Sequence, residues 1–316
     1  MLFPSAPEGQ KDAFETNPID RQPTRFAFVA LAGRPNVGKS TLLNRIVGEK
    51  LAITSSKPQS TLHVVRGILS DEQTQLVFVD PPGLFDPSNL LQTSMVATAE
   101  AALRDADLVL CLQPATEVAD KPVALTDIDK WLPDTRDRMA TVLTKADLLG
   151  EGQRPSVAPA TFLVSGITGE GVQELVDWCR RRAPEGPFLY DPDDLSSQNL
   201  RFFAAELVRE AAFELLQQEL PYATAVVVDE FREGTSPIYI RVILYVERTS
   251  QKGMLIGKNG DTIKALGQVA RSKIETLVGE KVYLDLWVKV LAKWRTRPRA
   301  LRMLGFTVSL KQKGSK

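Results

Sequence analysis

At 316 residues, 43% hydrophobic and 25% charged, the chain is long enough for two domains with real cores. No run of about eighteen apolar residues offers a membrane span, and the 2 cysteines, Cys111 and Cys179, read as buried reduced thiols rather than a metal site. The formal charge is zero, but 17 Lys and Arg against 5 Asp and Glu from Arg241 onward give that end +12 and leave −12 elsewhere. Such a division suits a chain with one end that meets a polyanion.

Taken in order, "MLFPSAPEGQKDAFETNPIDRQPTR" is polar and proline-bearing, and residues 1–24 read as a flexible tail. It lacks the basic-then-apolar order of a secretory signal, so the expected location is cytoplasmic. "RFAFVALAG" predicts a buried strand running into a glycine loop, and "KSTLLNRIVG" the helix after it. "TQLVFVD", "ADLVLCLQ", "RMATVLTKAD" and "ATFLVSG" are further strands, with helix-like "QTSMVATAEAALRDA" and "VQELVDWCRRRA" between them. Strands alternating with helices predict an α/β domain over 25–186, a mostly parallel sheet covered on both faces. "PEGPFLYDPDDLSSQN" breaks the pattern, and residues 187–199 read as a linker. Residues 200–316 then run as an amphipathic helix stopped by Pro221, two strands, a second glycine loop leading into a helix, and a last strand, "VYLDLWVKV": an α+β domain with a basic end.

The first glycine loop fits G-x-x-x-x-G-K-[ST] from Gly33 to Ser40, between a strand and a helix. Phosphate oxygens need many close N–H donors, so Gly33, Asn36, Val37, Gly38 and Thr41 line a nucleotide clamp. Lys39 supplies charge to the β- and γ-phosphates, and the Ser40 hydroxyl ligates Mg²⁺. "TKAD" ends a strand: the Asp147 carboxylate can accept from both N1–H and the N2 amino group of guanine, which adenine does not present. Thr144, Lys145, Ser165 and Gly166 complete that pocket, and the nucleotide is GTP. In "DPPG", Asp80 holds the metal through water and the Gly83 amide senses the γ-phosphate. In "KPQST", Thr61 is the switch residue over Mg²⁺, with Ser60 an adjacent alternative that spacing does not separate. Lys39, Thr61 and Gly83 are therefore the catalytic candidates. Leu84 stands where related enzymes place a water-orienting glutamine, which it cannot replace.

The second loop, Gly257-Lys258-Asn259-Gly260, has the GxxG of an RNA-binding KH domain. "GITG" at 166–169 also fits, but only the later loop has a strand pair before it and basic surroundings. Its glycines let a single-stranded backbone approach. Lys258 neutralises phosphate, Met254, Leu255 and Ile256 floor a groove, and Lys264, Lys293 and Arg295 add charge, the last two from "KWRTRPRALR". Trp287, Trp294, Tyr239 and Tyr245 read as core or groove wall. His63 lies beside the switch segment without a visible partner, which argues against a catalytic role.

"GRPNVGKST", "KPQST" and "DPPG", followed by "RTSQKGMLIGKNG", give residues from about Phe26 to Phe306 a close resemblance to the Era family of GTPases. That resemblance implies a P-loop GTPase domain followed by a type II KH domain, slow hydrolysis of GTP to GDP with Mg²⁺, and a monomer. It also implies binding of the 3′ end of 16S ribosomal RNA, help in assembling the 30S subunit, and a fraction held peripherally at the cytoplasmic membrane. Some GTPases with a hydrophobic residue at the Leu84 position recruit K⁺ through the P-loop asparagine, here Asn36. Thr144 replaces the family's asparagine, which predicts affinity weaker by about 1 kcal/mol, and Pro82 of DPPG stands where the family usually has threonine. The alternative reading is a nucleotide-liganded RNA scaffold with negligible hydrolysis.

Overall fold

A computed structural model describes residues 23–150 apart from 56, 58 and 118–135, then 154–155 and 158–308. Residues 1–22 of the expected tail and the last basic residues, from 309 onward, lie outside the described residues. The apolar runs read as strands form one six-stranded sheet in the order β2-β3-β1-β4-β5-β6. Its strands are β1 Arg25–Ala32, β2 Val65–Ser70, β3 Thr74–Asp80, β4 Leu108–Pro114, β5 Met139–Thr144 and β6 Thr161–Leu163. Pairing is parallel except for β2, which runs antiparallel to β3. Such strands are buried on both faces, hence their continuous Val, Leu, Ile and Ala. Helices α1 (Lys39–Val47) and α3 (Val172–Arg182) cover one face through Leu42, Leu43, Leu175 and Cys179. Helix α2 (Leu90–Asp105) covers the other through Ala99 and Leu103, against Ala30 and Cys111. Because β1 lies between β3 and β4, the chain diverges to either side of it. The loop after β1 therefore opens into a crevice at the strands' carboxyl ends.

The segment read as a linker is tied down along the sheet edge. Buried Gln75 accepts from the amides of Leu189 (2.9 Å) and Tyr190 (3.0 Å), the Ile68 amide donates to the Leu195 carbonyl (2.9 Å), and Ser196 donates to the Arg66 carbonyl (2.6 Å). These bonds satisfy edge groups that would otherwise be left to solvent.

Asn199 caps α4 (Leu200–Leu215) by accepting from the Phe202 amide at 3.0 Å. The short helix α5 (Leu220–Ala223) leads to β7 (Ala225–Arg232) and β8 (Ile238–Val246). Then come α6 (Thr249–Ile256), α7 (Asp261–Val278) and β9 (Val282–Val290). In this three-stranded sheet β7 is antiparallel and β9 parallel to β8. Alternate β8 residues Ile240, Val242 and Leu244 meet Val208 of α4, Leu255 of α6 and Ala270 of α7 in one core. Leu255 is thus a core residue rather than groove floor. Of the four aromatics read as core or wall, Trp294 is fully buried, whereas Trp287 is 51% exposed; Tyr239 stacks on Tyr283 at 5.8 Å. Helix α8 (Pro298–Met303) with Leu304 and Phe306 packs on Leu91 and Met95 of α2, so the two sheets' units share an apolar cluster.

Candidate functional site

The loop after β1 bends so tightly that Lys39, the first residue of α1, buries its ammonium beneath it. Nζ donates to the carbonyls of Gly33 (3.2 Å) and Arg34 (3.1 Å), and burial lowers its pKa against the pull of Asp80. Gly83 lies against this loop: a Cβ there would stand 2.6 Å from the Pro35 nitrogen, so only glycine fits. The Leu84 amide donates to the Gly33 carbonyl at 3.0 Å while its side chain is buried in the core under α2. The residue after Gly83 therefore faces away from the cleft. That cleft, about 330 Å³, is lined by Asn36, Gly38, Lys39, Ser40, Thr41, Thr61, Gly83 and Lys145, with Asn36 in a left-handed conformation at φ 64°. Gly33 and Val37 act as its frame: a Cβ on Gly33 would meet the Leu112 carbonyl at 2.8 Å, and Val37 is buried.

Three oxygen groups converge at one end of the cleft. Ser40 Oγ donates to Asp80 Oδ2 at 2.6 Å and lies 3.2 Å from Thr61 Oγ1. Between the two switch alternatives, Thr61 turns its hydroxyl to Ser40, and Ser60 turns its carbonyl to Arg209. Asp80 is completely buried, and its Oδ1 has no partner. An orphaned carboxylate oxygen beside two hydroxyls is a donor set that suits a hard divalent cation or its water. Burial pushes the Asp80 carboxyl up to about 6, against the opposing pull of Lys39 and Ser40. Since the folded pKa lies above the ordinary 3.8, the stability that the protonated group contributes in acid is lost as pH rises through about 6. Asp80→Asn should accordingly stabilise the nucleotide-free protein by about 2–3 kcal/mol at neutral pH. The gain should shrink between pH 6 and 4, as thermal denaturation at several pH values would show. A gain independent of pH would contradict this.

The base-side residues are gathered by β5 and β6. The Ala146 amide donates to the Val164 carbonyl at 3.1 Å, bringing "TKAD" and "VSG" together. Buried Ser165 donates to Asp147 Oδ1 at 2.6 Å and accepts from the Ile167 and Thr168 amides, so the exposed carboxylate is aimed rather than free to rotate. Gly166 packs on α1, where a Cβ would lie 3.0 Å from Thr41 Cγ2. Lys145 sits at φ 61°, turning the chain into the short 3₁₀ helix that carries Asp147. The Thr144 hydroxyl donates to the Val37 carbonyl at 2.5 Å and so braces the loop after β1.

The second loop joins α6 to α7. Gly257 has φ 79°, and a Cβ there would fall 2.3 Å from Thr262 Oγ1, so no other residue fits. Lys258 and Asn259 are exposed at the tip, Gly260 is the cap position before α7, and Lys264 is exposed one turn on. Met254 is 61% exposed beside the loop and Ile256 is half-buried. Lys293 is exposed, whereas Arg295 is already paired with Glu247 at 2.5 Å and lines a separate cleft with Gln92 and Tyr222. Sequence reasoning did not find the joint around His63. Its ring stacks on Phe306 at 4.7 Å with Phe202 edge-on at 6.5 Å, and burial lowers its pKa, so it serves as a neutral aromatic.

Similarity to known proteins follows the same two parts. The profile of the 50S ribosome-binding GTPase family matches residues 28–145, and that of the KH domain matches 219–295. GTPase Era of Thermotoga maritima is 42% identical over 286 residues, 86% of this chain and 94% of the relative. GTPase Era of Carboxydothermus hydrogenoformans is 39% identical over 296 residues, 90% and 98% of the two chains. Among solved structures, an Aquifex aeolicus Era variant bound to GDP·AlF₄⁻ superposes with a TM-score of 0.83 at 33% identity, covering 90% of this chain and all of the other. Era in complex with MgGDPNP and nucleotides 1506–1542 of 16S ribosomal RNA gives 0.82 at 32% identity, with the same coverage.

Proposed function

Because the chain belongs to the Era family of GTPases, we propose that it is a switch whose cleft hydrolyses GTP and whose GKNG loop grips the 3′ end of 16S ribosomal RNA during assembly of the 30S subunit. The chain is a GTPase that uses guanine nucleotide and Mg²⁺. The observation that carries the assignment of roles is the unpartnered Asp80 oxygen beside the Ser40 and Thr61 hydroxyls. Ser40 and Thr61 would hold Mg²⁺ directly and Asp80 through water; bound there, the ion neutralises charge on the β- and γ-phosphates. Lys39 binds the same phosphates, the Gly83 amide donates to the γ-phosphate, and Asp147 with Ser165 and Gly166 selects guanine. Leu84 is in the core, so no side chain at that position orients water, and turnover is slow. We read Asn36 as the ligand for K⁺, and Asn36→Ala should then erase the excess of the rate in KCl over NaCl; a persisting excess excludes that role.

On the RNA side, Met254 and Ile256 floor the groove while Lys258, Lys264 and Lys293 meet phosphates. Arg295 joins them only by leaving Glu247. No helix among the described residues is long and apolar enough to cross a membrane, so any membrane association of the basic end is peripheral and electrostatic. The deciding experiment titrates a 16S 3′-end oligonucleotide with the protein bound to GDP or to GDPNP. A shift in Kd of at least about fivefold is expected for coupled sites. Equal affinities would remove the coupling, and no binding in either state would remove the RNA reading.

A further inference from the structure

Thr61 is held in place from outside the nucleotide-binding unit. Arg209, on α4, is buried with 3% of its surface exposed. Its guanidinium is gripped by Glu206, with Nε 3.0 Å from Oε1 and Nη2 on Oε2, and lies 5.6 Å from the Phe213 ring. With Nε and Nη2 both on one carboxylate, the plane of the fork is fixed, and Nη1 donates to the main-chain carbonyl of Ser60. Lys57 makes the reverse contact. Its ammonium donates to the carbonyls of Phe213 and, at 2.8 Å, Leu216, which lie at the end of α4 where helical carbonyls lack partners. Charged donors on main-chain carbonyls thus pin the loop and the helix to each other at Lys57 and at Ser60. Directly after Ser60 comes the Thr61 hydroxyl, 3.2 Å from Ser40.

We propose that Arg209 is a positioning residue for GTP hydrolysis, contributed by the unit that carries the GKNG loop: it fixes the Ser60 carbonyl and thereby turns the Thr61 hydroxyl toward Ser40 and Asp80. This rests on the reading of Thr61 as the switch threonine. A lysine could not replace it, because one ammonium cannot keep the two-point grip on Glu206 and also reach Ser60. A tilt of α4 displaces Ser60, so Arg209 gives the RNA-binding unit a buried route to the cleft.

The test compares the full-length wild type with Arg209→Ala, Arg209→Lys, Thr61→Ala and the double variant Thr61→Ala/Arg209→Ala. It reads phosphate release, Kd for GDP, and hydrogen exchange over residues 55–63 of the nucleotide-free protein. Loss of one charge-assisted hydrogen bond should lower kcat about tenfold in Arg209→Ala. GDP affinity should hold within about twofold, because the switch threonine engages only the triphosphate state. Exchange across the segment should rise even without nucleotide, Arg209→Lys should not restore it, and the double variant should be no slower than Thr61→Ala alone. That non-additivity is what a general loss of stability would not produce. Should Arg209→Ala not fold, Arg209→Met combined with Glu206→Gln, which removes the bond to Ser60 without leaving a lone buried carboxylate, decides by the same readings. A near-wild-type rate with unchanged exchange, or rate losses that multiply in the double variant, overturns the proposal. A wild-type rate in Thr61→Ala removes the premise, and the proposal with it.

Discussion

Lys39→Ala is expected to lose GTP by about 10²–10⁴-fold, the equivalent of two charge-assisted hydrogen bonds at about 1.5–3 kcal/mol each. The ammonium is buried beneath its loop and bonded to the Gly33 and Arg34 carbonyls, so nothing in solution can take its place. The fold should survive the change, because the aliphatic stem is not among the residues that build either core. Asp80 should feel it instead. Without the cation that offsets burial, its carboxyl rises further, and the nucleotide-free variant loses more stability between mild acid and neutral pH than the wild type does. Affinity for the 16S 3′-end oligonucleotide in the absence of nucleotide should not change. Calorimetric titration with GTP and GDP settles the point; a Kd for either within about threefold of wild type would be too small a loss for a phosphate ligand.

The P-loop, the base motif and the parallel sheet were legible because their chemistry fixes residue types at fixed offsets. A backbone that must close on phosphate needs Gly33, Gly38 and Lys39 where they stand, and a strand buried on both faces must be apolar throughout. The brace that Thr144 supplies was not legible, because its hydroxyl reaches a main-chain carbonyl, Val37, that is 107 positions away in sequence. Leu84 could be recognised as unable to orient water, but not as a core residue, since burial there depends on how tightly Gly83 lies against Pro35. The "KWRTRPRALR" segment was read by its charge. Its apolar residues, Trp294 and Leu301, are what attach it to α2, while Arg295 turns to Glu247. Arg209 and Glu206 look like an ordinary i,i+3 pair on the polar side of a helix. Their burial and the Ser60 carbonyl on Arg209 come from packing against the other unit, which the helix pattern does not carry.

The second large effect is expected at the GKNG loop. Gly257→Asp should abolish RNA binding and leave the intrinsic GTPase rate unchanged, because the loop supplies none of the residues that line the cleft. Two forces act together. At φ 79° any side chain is strained by about 1–3 kcal/mol, and the Cβ would collide with Thr262 Oγ1 and its amide, at 2.3 and 2.8 Å. The carboxylate then projects where a phosphate must approach, and like charges in contact cost several kcal/mol. Lys258→Glu separates these forces, since Lys258 is exposed and its backbone needs no glycine. It should weaken RNA binding less than Gly257→Asp while leaving the melting temperature alone. It should also flatten the log–log salt dependence by roughly 0.7, the slope of one neutralised phosphate on a single strand. Filter binding across a salt series reads both quantities. If Lys258→Glu left the slope as it was, Lys258 would not be a phosphate contact, and the RNA would have to be gripped from another side of the loop.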